Sequence, residues 1–111
     1  MNIETNMDRV GAIYTFEADS TVEVGTLVKF VNNYKVTACE NGDDFHGICV
    51  NARDGFAAVQ IDGCAEILYF GDINLGYQKL SAFSSTRVSV SENGKEHLVM
   101  SVGASFIGIL L

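Results

Sequence analysis

The chain has 111 residues, 48% of them apolar, with 14 acidic against 7 basic side chains and a net charge of −7. A chain of this length and hydrophobicity has room for one folded domain and no second. Its acidic balance argues against a basic groove for nucleic acid and against electrostatic docking on anionic membranes, so a protein is the expected partner.

Read in chain order, Met1–Asp8 is polar and unpatterned, without the basic start and apolar centre of a signal peptide. No stretch approaches the roughly 20 apolar residues that span a bilayer. A soluble protein made in the cytoplasm is expected. Residues 1–19 read as an N-terminal arm, partly extended, and residues 10–111 as a single β domain. Within the arm, Val10–Phe16 has the composition of a strand that begins the fold or crosses to a neighbour.

The body carries one phrase twice. Val22-Glu23-Val24-Gly25 leads to Phe45-His46-Gly47-Ile48-Cys49-Val50, and Ile73-Asn74-Leu75-Gly76 leads to Phe106-Ile107-Gly108-Ile109-Leu110-Leu111. The offset is 51 at the first part (25 to 76) and 61 at the second (47 to 108), which predicts a ten-residue hairpin extension near 91–100. Two pseudo-duplicated β-units in a small barrel or sandwich follow. Gly25, Gly47, Gly76 and Gly108 are read as backbone requirements, either positive φ or close strand approach.

Tight-turn dipeptides punctuate apolar runs. Asn32-Asn33 sits between residues 27–31 and 34–38, Asp62-Gly63 between 57–61 and 64–68, and Asn93-Gly94 between 88–92 and 95–99; each predicts a hairpin. Gly63 and Gly94 supply turn glycines. Asp54-Gly55 links the strand around Ile48–Val50 to one beginning at Phe56. The only helical expectation is a short piece near 75–85. Ser105–Leu111 is apolar to its last residue and is expected as an interior or subunit-facing strand.

Chemistry-bearing motifs are missing: the sequence has no dinucleotide fingerprint, Walker loop, metalloprotease helix, nucleophile elbow or EF-hand loop. Cys39, Cys49 and Cys64 are odd in number and lack CxxC spacing, which fits reduced, buried thiols. His46 with Cys39 or Cys49 could form a thiol and base pair, but an odd separation places His46 and Cys49 on opposite strand faces. His97 is read as solvent-facing. The acids of Glu40–Asp44 are read as a solvated turn and not a cation site, and the scattered aromatics as core or interface filling. No enzymatic role, cofactor or metal is expected.

The run Thr21–Phe30, then Phe45–Val50, Gly55–Gly63, Ile73–Gly76 and Phe106–Ile109, resembles the small head-decoration proteins of tailed bacteriophages and prophages. The resemblance covers about residues 10–111, although this chain lacks the prolines that relatives commonly place in the early strand and loops. It implies a β-tulip domain, often trimeric and without enzymatic role, that sits on the capsid exterior and reinforces contacts between subunits of the major capsid protein. Localisation to the virion follows from it. Ile13, Tyr14, Phe16, Phe106, Ile107 and Leu110 are the expected capsid or subunit contacts, with addition of the arm strand to an exposed edge as one mode. A non-catalytic ligand-binding or adhesion module is the alternative, and it predicts exposed aromatics with polar partners around a pocket.

Overall fold

The computed structural model describes residues 11–111, and the leader Met1–Val10 lies outside them. The described residues form ten strands in two closed five-stranded barrels, with no helix. The first barrel contains β1 (Ile13–Ala18), β2 (Leu27–Asn32), β3 (Lys35–Ala38), β4 (Gly47–Arg53) and β5 (Phe56–Gln60). The second contains β6 (Cys64–Tyr69), β7 (Gly76–Ala82), β8 (Arg87–Val90), β9 (Lys95–Val102) and β10 (Phe106–Leu110). Around the first ring the order is β1-β3-β2-β4-β5, and around the second it is β6-β8-β7-β9-β10. The fold is all-β and built of two related units.

The equivalence extends to closure and bulges, while the β2–β4 ladder (Val28 with Gly47) and the β7–β9 ladder (Leu80 with Lys95) differ by two residues. Each ring closes on a short parallel pairing, Glu17 and Ala18 with Lys35 and Val36 in one, Leu68 and Tyr69 with Arg87 and Val88 in the other. Each also has a bulge at the same place, after Cys49 in β4 and after Val99 in β9, so that two residues oppose one on the partner strand. From β4 and β5 to β9 and β10 the offset is 50 (49 to 99 and 59 to 109). The repeat therefore holds a near-constant period, and the expected ten-residue extension does not exist. Residues 95–102 are a barrel strand. The Phe-x-Gly likeness joined strands that are not equivalent, since Gly47 opens β4 whereas Gly108 lies in β10, the counterpart of β5.

Of the predicted hairpins, 54–55 pairs β4 with β5, and the β2–β3 hairpin forms one residue later than expected. Its turn is Asn33-Tyr34, and Tyr34 takes the positive φ of 56°. The other two are corrections. Asp62-Gly63 joins β5 to β6, which belong to different barrels, and Asn93-Gly94 carries the chain from β8 across β7 to β9. Gly63 takes positive φ in a bend, and Gly94 N–H bonds to Ser91 O at 3.0 Å, which centres that turn on Glu92-Asn93; neither is a two-residue hairpin turn, because a ring needs those strands to pair with partners distant in sequence. Residues 76–82 are likewise a strand, paired on both sides by β8 and β9, because ladder bonds outweigh a weak helical preference.

Strand alternation sorts the side chains. In the first barrel Val28, Val36, Cys49, Ala57 and Val59 point inward; their counterparts Leu80, Val88, Val99, Ile107 and Ile109 fill the second. Leu27 and Ile48, on the reverse face from Val28 and Cys49, are buried too, because they pack with Cys39 and Phe45 onto the core of the second barrel. Main-chain bonds join the units here. Leu27 N–H donates to Ser85 O at 2.7 Å, Gly42 N–H to Ala82 O at 2.8 Å, and Ala82 N–H to Asp43 O at 2.8 Å.

The apolar-x-apolar-Gly corner also has a physical basis. Thr26 N–H bonds back to Glu23 O at 3.0 Å, closing a turn whose third residue, Gly25, has φ +89°; Gly76 shares the positive φ, at +99°. Nothing crowds either glycine, so Gly76→Ala should cost only the backbone strain, about 1–2 kcal/mol. Ile107→Ala, at a fully buried site, should cost about 2–5 kcal/mol, and urea unfolding followed by circular dichroism will separate the two.

Candidate functional site

A groove of about 380 Å³ at the junction of the units is lined by Phe30, Phe45, His46, Ile61, Lys95, His97 and Leu111. Two imidazole–phenyl stacks form its walls. Phe30 and His46 lie 5.7 Å apart at 22°, and Phe45 and His97 lie 4.8 Å apart at 12°. Phe16 meets Phe30 edge-on at 5.0 Å and Tyr14 stands 6.4 Å from Phe16, so an aromatic file runs from the groove across the first barrel.

The hydrogen bonds assign the tautomers. Phe30 N–H donates to His46 Nδ1 at 3.0 Å, which places the ring hydrogen of neutral His46 on Nε2. His97 Nδ1 lies 3.0 Å from Leu110 O and must donate to it; the remaining Nε2 is buried without a partner among the described residues. His97 is thus a core residue, contrary to its expected solvent-facing position. It shares the inward phase of Val99 two positions on, a period-2 signal legible in the sequence.

Burial holds the His97 imidazole below its ordinary value of 6.5, only partly offset by the Leu110 carbonyl, so the ring is neutral in the fold. The unfolded chain takes up this proton at higher pH than the folded one. The contribution to stability is therefore complete above about 6.5 and is lost as pH falls through the folded value. Between about pH 7.5 and about pH 5 the melting temperature should fall more steeply in the wild type than in His97→Phe, measured by differential scanning calorimetry.

The Cys39 and Cys49 thiols bond to main-chain oxygens and not to either imidazole. Cys39 Sγ donates to Asp44 O at 3.8 Å and Cys49 Sγ to Asn51 O at 3.2 Å. Burial, with Asp43 adding to it, pushes the Cys39 thiol up to about 12, and burial raises Cys49 as well. All three cysteines are free, with Cys39 and Cys49 buried and Cys64 half-buried. A thiol that keeps its proton is a poor nucleophile. Iodoacetamide should leave Cys39 and Cys49 unlabelled in the native protein and modify them only in denaturant, as read by mass spectrometry.

The acidic loop is organised from within the protein. Lys29 Nζ donates to Asp43 Oδ2 at 2.6 Å, and the same oxygen accepts Glu40 N–H at 2.8 Å. Among the described residues no group of three His, Cys, Asp or Glu side chains is placed to hold a metal ion.

The expected contact residues separate. Ile13, Tyr14, Phe106 and Leu110 are exposed, Phe16 is half-buried against the first core, and Ile107 is fully buried in the second, where it packs the barrel and presents nothing outward. Ile13–Ala18 is β1, laddered to β5, so this stretch is barrel wall and not a free arm. The named glycines fall into two kinds. Gly25, Gly63 and Gly76 have positive φ, whereas a Cβ on Gly47 would lie 2.6 Å from Gln60 O and one on Gly108 would lie 2.7 Å from Ser101 Oγ. Gly94 belongs to the second kind, closed in by the Leu80 backbone. No family model matches the chain, and no curated protein matches it in sequence.

Proposed function

We propose that the chain is a structural protein that binds the outside of an assembled phage capsid and strengthens contacts between capsid subunits. One observation supports this reading most. Sixteen large apolar side chains are exposed on the described surface, twelve of them on barrel strands, which suits protein contact. Protein interfaces are built from such apolar and aromatic centres. The partner in this reading is the major capsid protein, and assembly as a homotrimer on the virion belongs to it.

A ligand-binding module is the second reading. It is favoured by the groove between the barrels, where the His46 Nε2–H and the Lys95 ammonium are donors set among aromatic walls. A small molecule that raises the melting temperature of the wild type but not of Phe30→Ala would support it.

For the decoration reading, purified protein mixed with heads assembled from the capsid protein encoded in the same genome should co-sediment to a saturating stoichiometry. The decorated heads should also open at higher temperature than bare heads. Protein that stays wholly in the supernatant at tens of micromolar would refute the proposal.

A further inference from the structure

Superposing the two units by strand register leaves few identical residues. Across the ten strands and the two glycine corners the identities are Gly25 with Gly76, Val36 with Val88, and Phe56 with Phe106. The first pair is required by positive φ and the second by complete burial. The third has no such cause. Phe56 is 55% exposed and Phe106 51%.

Two further matched positions behave in the same way. At the corners, Val24 is 68% exposed and Leu75 64%; at the bulges, Val50 is 40% exposed and Met100 44%. Neither burial nor backbone geometry asks for an apolar side chain at any of these six places. Core positions drifted from Cys49 to Val99 and from Ala57 to Ile107, yet the apolar character of these surface positions was kept in both halves.

Within each barrel the three positions lie close together. Gly25 N–H bonds to Cys49 O at 2.8 Å, which sets the Val24 corner beside the bulge of β4, and Gly76 pairs with Val99, which sets the Leu75 corner beside the bulge of β9. Across the strand pair, Val50 and Asn51 oppose Ala58, which shares the outer phase of β5 with Phe56. Each barrel thus carries the same apolar patch at a tight corner, a bulge and a strand start.

We infer that these are two copies of one docking surface, and that each engages one of two neighbouring copies of a repeating protein surface whose apolar pocket is rimmed by basic side chains. The inference rests on the decoration reading and specifies its contact. Charge decides against sister chains as the occupant. Residues 11–61 carry seven acids against three bases and residues 62–111 five against three, so either half of one copy repels either half of another by net charge, whereas a basic rim is attracted. Two weak contacts on one rigid body add as avidity, which raises apparent affinity by about 10²- to 10⁴-fold over either alone.

The test uses the full chain and heads assembled from the capsid protein of the same genome, with binding isotherms for wild type, Phe56→Ser, Phe106→Ser and the double variant. Both sites are exposed, so each variant should keep the wild-type circular dichroism spectrum; Val24→Ser and Leu75→Ser replace any that does not. Each single variant should bind at least about tenfold more weakly, to a similar extent, and the double should lose saturable binding. Wild-type binding should weaken with added salt. If wild type binds and either single variant matches it, or the double does, this inference fails while the decoration reading stands. Wild type that does not bind removes both. A double variant that dissociates from oligomer to monomer yet decorates heads at wild-type affinity assigns the patches to sister chains and overturns the inference.

Discussion

Barrel closure is the constraint from which the rest of the structure follows. Each ring shuts on a two-residue parallel ladder, and in the first the closing bond is Glu17 N–H to Tyr34 O at 3.0 Å. Parallel closure forbids a hairpin between β1 and β3, so the chain leaves β1, lays β2 on the far side of β3 and returns through the β2–β3 hairpin. Closure also ties most strand main chain into ladders, which leaves side chains as the chief means of recognition. Along β1 only Glu17 and Ala18 reach β3, whereas Ile13–Glu17 all pair with β5.

The two rings are equivalent in topology and unequal in filling. Where the second has Val99, Ile107 and Ile109, the first has Cys49, Ala57 and Val59, and half-buried Phe16 takes up volume that Ile67 occupies opposite. Total volume matters more than identity in such cores. The loops differ as well. Eight residues, 39–46, separate β3 from β4, against four, 91–94, between β8 and β9. The longer loop straps the first barrel to the second, with Phe45 stacked on His97 and Gly42 and Asp43 bonded to Ala82. The groove and its neutral histidine are products of this asymmetry.

Much of the fold was legible in the sequence. Alternation gave most strands, and Val22–Gly25 with Ile73–Gly76 located a true repeat because positive φ at a corner leaves glycine little competition. The second half of the phrase misled for a reason visible at the glycines. Gly47 makes room for Gln60 O and Gly108 for the Ser101 hydroxyl, two unrelated demands with one sequence solution. Asp62-Gly63 falls in a bend and Asn93-Gly94 in a turn, but such a sequence does not say which strands will pair, and closure made those partners distant. At the candidate site, the exposure of Phe106 and Leu110 is opposite in phase to the burial of Ile107 between them, as period 2 requires. The patch at Val24, Val50 and Phe56 was not legible, because an exposed apolar residue acquires meaning only when its counterpart in the other barrel is known.

The central claim is that two equivalent barrel faces, and not a strand edge, carry recognition. An electron cryomicroscopy map of decorated heads at side-chain resolution tests it most directly. The account predicts Phe56 and Phe106 each buried against a copy of the capsid protein in matching surroundings. A map in which both rings remain in solvent, and the chain is held instead by main-chain pairing along β1, would contradict it.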